Sequence, residues 1–89
     1  MNLIFFTNDK YELLKLLNDK QIKIKKESYT SLSQQEIADM LHYSKLKTNK
    51  ILNELKDLGF VEIYRNTRGK YALTERAIET IQIIENTKV

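Results

Sequence analysis

The chain of 89 residues has no cysteine, no proline and no tryptophan, and its only glycines are Gly59 and Gly69. The lack of cysteine excludes disulfides and thiolate metal sites. The single histidine, His42, cannot build a metal site or a catalytic triad alone. So few chain breakers favour helices, and each glycine then needs a local reason for its position. No apolar run approaches the roughly 20 residues that span a bilayer. The opening Met1-Asn2-Leu3-Ile4-Phe5-Phe6 is too short for a signal peptide and is followed at once by Thr7-Asn8-Asp9, so a cytoplasmic protein is expected. There is no paired nucleophile and base, no glycine-rich phosphate loop and no cluster of metal ligands. Neither enzymatic activity nor a cofactor is expected.

What is present reads as one small globular domain over residues 1–89, since 42% of residues are hydrophobic and 30% charged. A domain of this size buries a modest core and leans on helix packing or on a partner subunit. The net charge of +3 says little, but its distribution says more. Between Asp39 and Glu54 the only charged side chains, with His42 neutral, are Lys45, Lys47 and Lys50. Between Glu62 and Glu75 they are Arg65, Arg68 and Lys70, and between Asp19 and Glu27 they are Lys20, Lys23, Lys25 and Lys26. Such basic islands are the footprint of phosphate contacts, although lysines also sit on any solvated surface.

A first helix is expected from Asn8 or Asp9, either of which can cap it, with Leu13, Leu14, Leu16 and Leu17 on its apolar face. Its pattern decays near Asn18-Asp19. Over residues 20–32, Ile22 and Ile24 alternate with Lys23 and Lys25 as in a strand, but a frayed extension of the helix fits nearly as well. Tyr29 to Leu32 fits a short strand. Ser33-Gln34-Gln35-Glu36 is a capping box, followed by Ile37, Ala38 and Leu41 on the buried face of a short helix. His42-Tyr43 makes a turn, and Ser44 caps a helix running to about Leu58, with Thr48, Ile51, Leu52 and Leu55 on one side. Gly59 stands where a left-handed residue ends a helix. Phe60 to Tyr64 and Lys70 to Leu73 form a β-hairpin about Asn66-Thr67-Arg68-Gly69, a basic tip. Thr74 caps a last helix, about 75–87, with Ala77, Ile78, Ile81 and Ile84 sharing a face.

Two helices joined by a short turn, the second headed by lysines, describe a helix-turn-helix, whose second helix fits the major groove. From Leu32 to Leu41 the sequence resembles the first of these helices in winged-helix transcriptional regulators of the MarR and ArsR type. Ser44 through Leu55 is similar to their recognition helix. Leu58-Gly59-Phe60-Val61-Glu62 is similar to their exit into the wing, and Arg68 through Glu75 to the wing's return strand and the helix behind it. The likeness runs from 32 to 77, with a core of about 8–77. It departs at His42, where the family usually has glycine, and at Thr48, where it usually has an aliphatic anchor. The resemblance implies an α+β, mostly helical winged helix-turn-helix: helix, short strand, helix-turn-helix, two-stranded wing, C-terminal helix. MarR proteins are longer, and ArsR metal sensors need ligands that this chain lacks.

Leu46, Asn49, Lys50 and Asn53 share one helix face, opposite the apolar residues. Asn49 suits bidentate contact with adenine, and Lys50 and Asn53 lie beside it as further base contacts. Ser44, Lys45 and Lys47 head the helix as phosphate contacts, and Arg65, Arg68 and Lys70 supply the wing. Leu46 can touch a thymine methyl or pack on the first helix, the latter being preferred. Tyr43 is expected half-buried and His42 structural. Tyr64 and Tyr71 are expected as cross-strand neighbours in the wing.

The function expected is sequence-specific binding of double-stranded DNA by a small transcriptional regulator, a repressor, with the wing on backbone or minor groove. The alternatives are a winged-helix protein–protein module and a plasmid or phage replication or partition accessory factor. A small-molecule effector is not indicated. Ile78, Ile81, Ile83 and Ile84, with Leu3, Ile4, Phe5 and Phe6, exceed what the minimal fold buries, which points to a homodimer; the two chain ends packing on each other is the rival.

Overall fold

A computed structural model describes residues 8–87. Four helices and a four-stranded antiparallel sheet alternate along the chain: α1 (Asn8–Asp19), β1 (Ile22–Ile24), β2 (Glu27–Ser31), α2 (Gln34–Leu41), α3 (Lys45–Asp57), β3 (Val61–Ile63), β4 (Lys70–Leu73) and α4 (Glu75–Thr87). This is an α+β winged helix-turn-helix, as the sequence pattern implies. Leu13, Leu14 and Leu17 are fully buried and pack with Ile37, Leu52, Leu55, Phe60 and Ile81 into one core. Leu16, at the margin of the α1 stripe, is half-buried against it.

Residues 20–32, where the sequence left helix and strand open, form a hairpin. Ile22 pairs with Tyr29 and Ile24 with Glu27, and Lys25 takes the left-handed turn position at φ 56°. Burial does not drive this hairpin, because Ile22 and Ile24 are both exposed. It is anchored instead through β2, which pairs Thr30 with Tyr71 and Ser31 with Lys70 of β4. The sheet order is therefore β1-β2-β4-β3, one more strand ahead of α2 than the sequence reading supplied.

The helix-turn-helix is built by caps. Ser33 Oγ accepts from the Glu36 amide at 3.1 Å while Glu36 Oε1 accepts from the Ser33 amide at 3.0 Å, completing the capping box. Ser44 Oγ accepts from the Lys47 amide at 3.0 Å and starts α3. Both helices end in the same paired arrangement of backbone bonds. After α2, the Tyr43 amide reaches Ala38 O at 2.9 Å and the His42 amide reaches Asp39 O at 3.4 Å. After α3, the Phe60 amide reaches Leu55 O at 2.9 Å and the Gly59 amide reaches Lys56 O at 3.0 Å. The left-handed position is His42 at φ 59° in the first and Gly59 at φ 79° in the second. Histidine is one of the residues enriched in that region, which is how the turn dispenses with glycine.

Three threonines sit in the core without orphaned hydroxyls. Thr30 Oγ1 donates to Leu17 O at 2.5 Å, Thr48 Oγ1 to Ser44 O at 3.0 Å and Thr80 Oγ1 to Arg76 O at 2.8 Å. Thr48 thus fills an aliphatic position while its hydroxyl stays on its own helix, where a buried polar group costs little. Thr74 accepts from the Ala77 amide at 3.2 Å and donates to Gly59 O at 2.7 Å, so one side chain starts α4 and ties it to the exit of α3.

The wing departs from the expected hairpin. β3 is limited to Val61–Ile63, and the chain then makes a tight turn over Tyr64–Asn66 before the bend at Thr67 to Gly69. Ile63, not Tyr64, lies opposite Tyr71. Tyr64 turns across the sheet and stacks on Tyr29, with ring centroids 4.6 Å apart and planes 14° from parallel. The expected Tyr64–Tyr71 pairing is therefore corrected: the register gives Tyr71 to Ile63, so Tyr64 would fall opposite Lys70, and the strand ends before it.

Candidate nucleic-acid interface

α3 buries Thr48, Ile51, Leu52 and Leu55, and this fixes what its other sides present. Leu46, Asn49, Lys50 and Asn53 are all exposed on the outward side. Leu46 is 81% exposed and does not pack on another helix, contrary to the preferred expectation. Asn49 Oδ1 accepts from Gln34 Nε2 at 3.2 Å and from Asn53 Nδ2 at 3.4 Å. These bonds run along the solvent-facing surface and link the first turn of α2 to the outward face of α3. Such a row of amides offers the donor and acceptor pairs that base edges require.

The two flanks of α3 differ. On the α1 side, Lys47 Nζ lies 3.1 Å from Asp9 Oδ2 and 4.1 Å from the centroid of the Tyr43 ring. The Tyr43 hydroxyl donates to Glu12 Oε2 at 2.5 Å, and Asp9 Oδ1 lies 3.3 Å from the same oxygen. Burial, first, and the bond to Glu12 push the Tyr43 phenol well above its ordinary range. Lys10 pairs with Glu54 at 2.8 Å; this bond and, more weakly, the nearby charge of Lys50 hold the Glu54 carboxyl below its ordinary value. Lys47 is thus engaged with α1 rather than standing free at the helix head.

On the wing side lies a groove of about 360 Å³ between α2, α3 and the wing. Lys45, Lys56 and Arg68 line it, together with Gln34 and Tyr71. Burial raises the Tyr71 phenol, while a hydrogen bond with Gln34 and the charge of Arg68 act against that rise. Among the described residues the ion pairs are Lys10–Glu54, Lys15–Glu85, Lys47–Asp9 and Arg65–Glu27, so none of the three groove cations is neutralised. Three uncompensated cations around a concave seat make a site for anions, and the opening of α2 beside them adds to the field.

The remaining wing cations are engaged within the fold. Arg65 forms an ion pair with Glu27, and Lys70 Nζ lies 5.2 Å from the centroid of the Tyr29 ring. Of the residues expected from sequence, Asn49 and Asn53 are joined on the outward face, Lys50 is exposed beside them at a cleft with Asp9, Lys47 and Glu54 on the α1 flank, and Lys45 and Arg68 lie in the groove. Ser44 serves as the helix cap. Lys47, Arg65 and Lys70 are directed to partners in α1 and β2. Lys56 and Gln34 were missed. Lys56, the basic residue of the last turn of α3, lies eleven residues beyond Lys45, three helical turns on, and that spacing could have revealed it. No group of three or more potential metal-ligating side chains occurs among the described residues. No described helix is long and apolar enough to cross a membrane.

No family model and no curated protein matches the sequence. Solved structures do match the fold. The CO-sensing protein from R. rubrum superposes with a TM-score of 0.74 at 19% identity, over 90% of this chain and 39% of that one. A transcriptional regulator of the CRP/FNR family from Thermus thermophilus gives 0.66 at 14% identity, over 92% and 41%. The CO-dependent transcription factor CooA from Carboxydothermus hydrogenoformans gives 0.63 at 22% identity, over 89% and 39%. What is shared is the fold. This chain spans about two fifths of the length of each of these proteins. These neighbours carry CRP/FNR and CO-sensing names, so the MarR and ArsR likeness remains one of sequence pattern.

Proposed function

We propose that this chain binds double-stranded DNA sequence-specifically and acts as a small cytoplasmic transcriptional regulator, a repressor. The observation that carries the reading is the groove of Lys45, Lys56 and Arg68 beside an outward α3 face of Asn49, Lys50 and Asn53. A phosphodiester backbone fits the former and base edges the latter, which is how a helix-turn-helix divides positioning from reading. The fold shared with transcription factors supports the same conclusion. The MarR and ArsR pattern in the sequence and the CRP/FNR likeness in three dimensions agree at this level. Ser44 contributes by capping α3 and presenting its first amides to phosphate. Lys47, Arg65 and Lys70 take part once released from their internal partners. Anisotropy titration against the DNA upstream of its own gene, and against a random duplex, tests the reading. Specific, salt-sensitive binding supports it, and salt-indifferent or absent binding favours the protein–protein alternative.

The head acts as a homodimer in this proposal. One helix-turn-helix reads a few base pairs, and paired heads on a palindrome gain both affinity and specificity. Ile81 is used by the chain's own core, which leaves Ile78 and Ile83 exposed and Ile84 half-buried on α4. Leu3, Ile4, Phe5 and Phe6, the other part of the expected interface, lie outside the described residues.

A further inference from the structure

The wing carries two arginines three residues apart, and the fold sends them to separate concavities. Arg68 lines the groove with Lys45. Arg65 shares a separate concavity with Ile24, Lys25, Lys26 and Glu27, at the turn of the β1–β2 hairpin. Pairing of Ser31 with Lys70 sets the groove end of β2, next to the start of α2. Glu27 stands four residues earlier, so it lies about 13 Å back along the strand, away from that end.

Glu27 holds the wing turn there through one oxygen. Its Oε2 accepts from the Tyr64 hydroxyl at 2.7 Å and from a guanidinium nitrogen of Arg65. The Tyr64 ring lies on Tyr29, two residues beyond Glu27 on β2. Between these contacts and Arg68, the backbone passes through two successive left-handed residues that are not glycine, Arg65 at φ 48° and Asn66 at φ 56°. Asparagine visits that region readily, but Arg65 is strained there and persists where surrounding contacts over-determine it. A phosphate offers Arg65 a charge-assisted bond of the kind Glu27 now supplies, so the two compete for the same guanidinium.

We infer that Glu27 is an autoinhibitory latch on the wing, keeping Arg65 from the nucleic acid while leaving Arg68 in place. It rests on the DNA-binding reading, and it explains why Arg65 is withheld while Arg68 lines the groove. Glu27 acts as a positioning residue, through Arg65 and Tyr64.

The test measures affinity for a random-sequence duplex against salt for wild type, Glu27→Gln, Arg65→Ala and the double variant. Glu27 is exposed, and unchanged thermal melting verifies that each variant is folded. Freeing Arg65 adds one phosphate contact per head. Glu27→Gln should therefore tighten low-salt binding on the order of tenfold and steepen the slope of log affinity against log salt by about 0.9 per head. Arg65→Ala in the wild-type background is the reference, and the double variant should bind as it does, without the gain. The latch is overturned if Glu27→Gln binds as wild type does, or if the gain survives in the Arg65→Ala background, where removal of a negative charge would be its whole cause. Wild type that binds no duplex overturns the DNA-binding reading itself, and the latch with it.

Discussion

Asn49 sits where three polar side chains meet, accepting from both Gln34 and Asn53 on an exposed face. A protein stabilised by its core gains little from such bonds; in the proposed DNA-binding role they would hold the Asn49 amide in one orientation. Asn49→Ala should cost roughly 1–3 kcal/mol of discrimination between operator and random duplex, measured by competition, with little change in melting temperature. His42 tells a different story. Its left-handed backbone, φ 59°, strains a side-chain-bearing residue by about 1 kcal/mol. His42→Gly should relieve that strain, partly offset by the entropy of glycine, and raise stability by up to about 1 kcal/mol in denaturant titration. Tyr43 provides a pH signature. Its phenol is raised by burial and by the bonded carboxylates of Glu12 and Asp9, so folding favours the neutral form. The stability this contributes is complete below the unfolded phenol value of about 10 and is lost as pH rises beyond it. Alkaline denaturation should begin there, and Tyr43→Phe should weaken that part of the pH dependence.

At the scale of elements, the helix-turn-helix was legible because its signals are local. Ser33 with Glu36, Ser44, Gly59 and Thr74 each act within a few residues of their own position, and each is found in the role its chemistry suggests. The apolar spacing of α1, α3 and α4 likewise needs no partner to be read. The hairpin over residues 22–31 was ambiguous because its isoleucines remain exposed, so alternation there reports no buried face. The placement of Tyr64 could not be read at all, because its partners, Glu27 and Tyr29, lie 37 and 35 residues away in sequence. For the same reason the wing cations looked equivalent when only Arg68 faces the groove. The groove gives this scale its prediction. Alanine at Lys45, Lys56 or Arg68 should weaken binding to all duplexes alike, lowering the salt slope by about 0.9 per contact and sparing base preference. Any of the three that changed sequence preference instead would belong to the reading face.

At the scale of the molecule, α4 packs on α1 and β4, while α2, α3 and the wing line the groove. α4 keeps Ala77, Thr80 and Ile81 for its own core and leaves Ile78 and Ile83 at the surface. If that surface joins two heads, Ile83→Glu should yield a folded monomer by sedimentation and weaken operator binding steeply; a wild-type monomer with full operator affinity would count against the pairing. The account depends most on the groove being a phosphate seat. Anisotropy titration of a duplex across a range of salt concentrations, for wild type and the Lys45→Ala, Arg68→Ala double variant, tests that directly. The account predicts a wild-type affinity that falls by orders of magnitude as salt rises, and a slope shallower by about 1.8 per head in the variant. Equal slopes in the two proteins would contradict it.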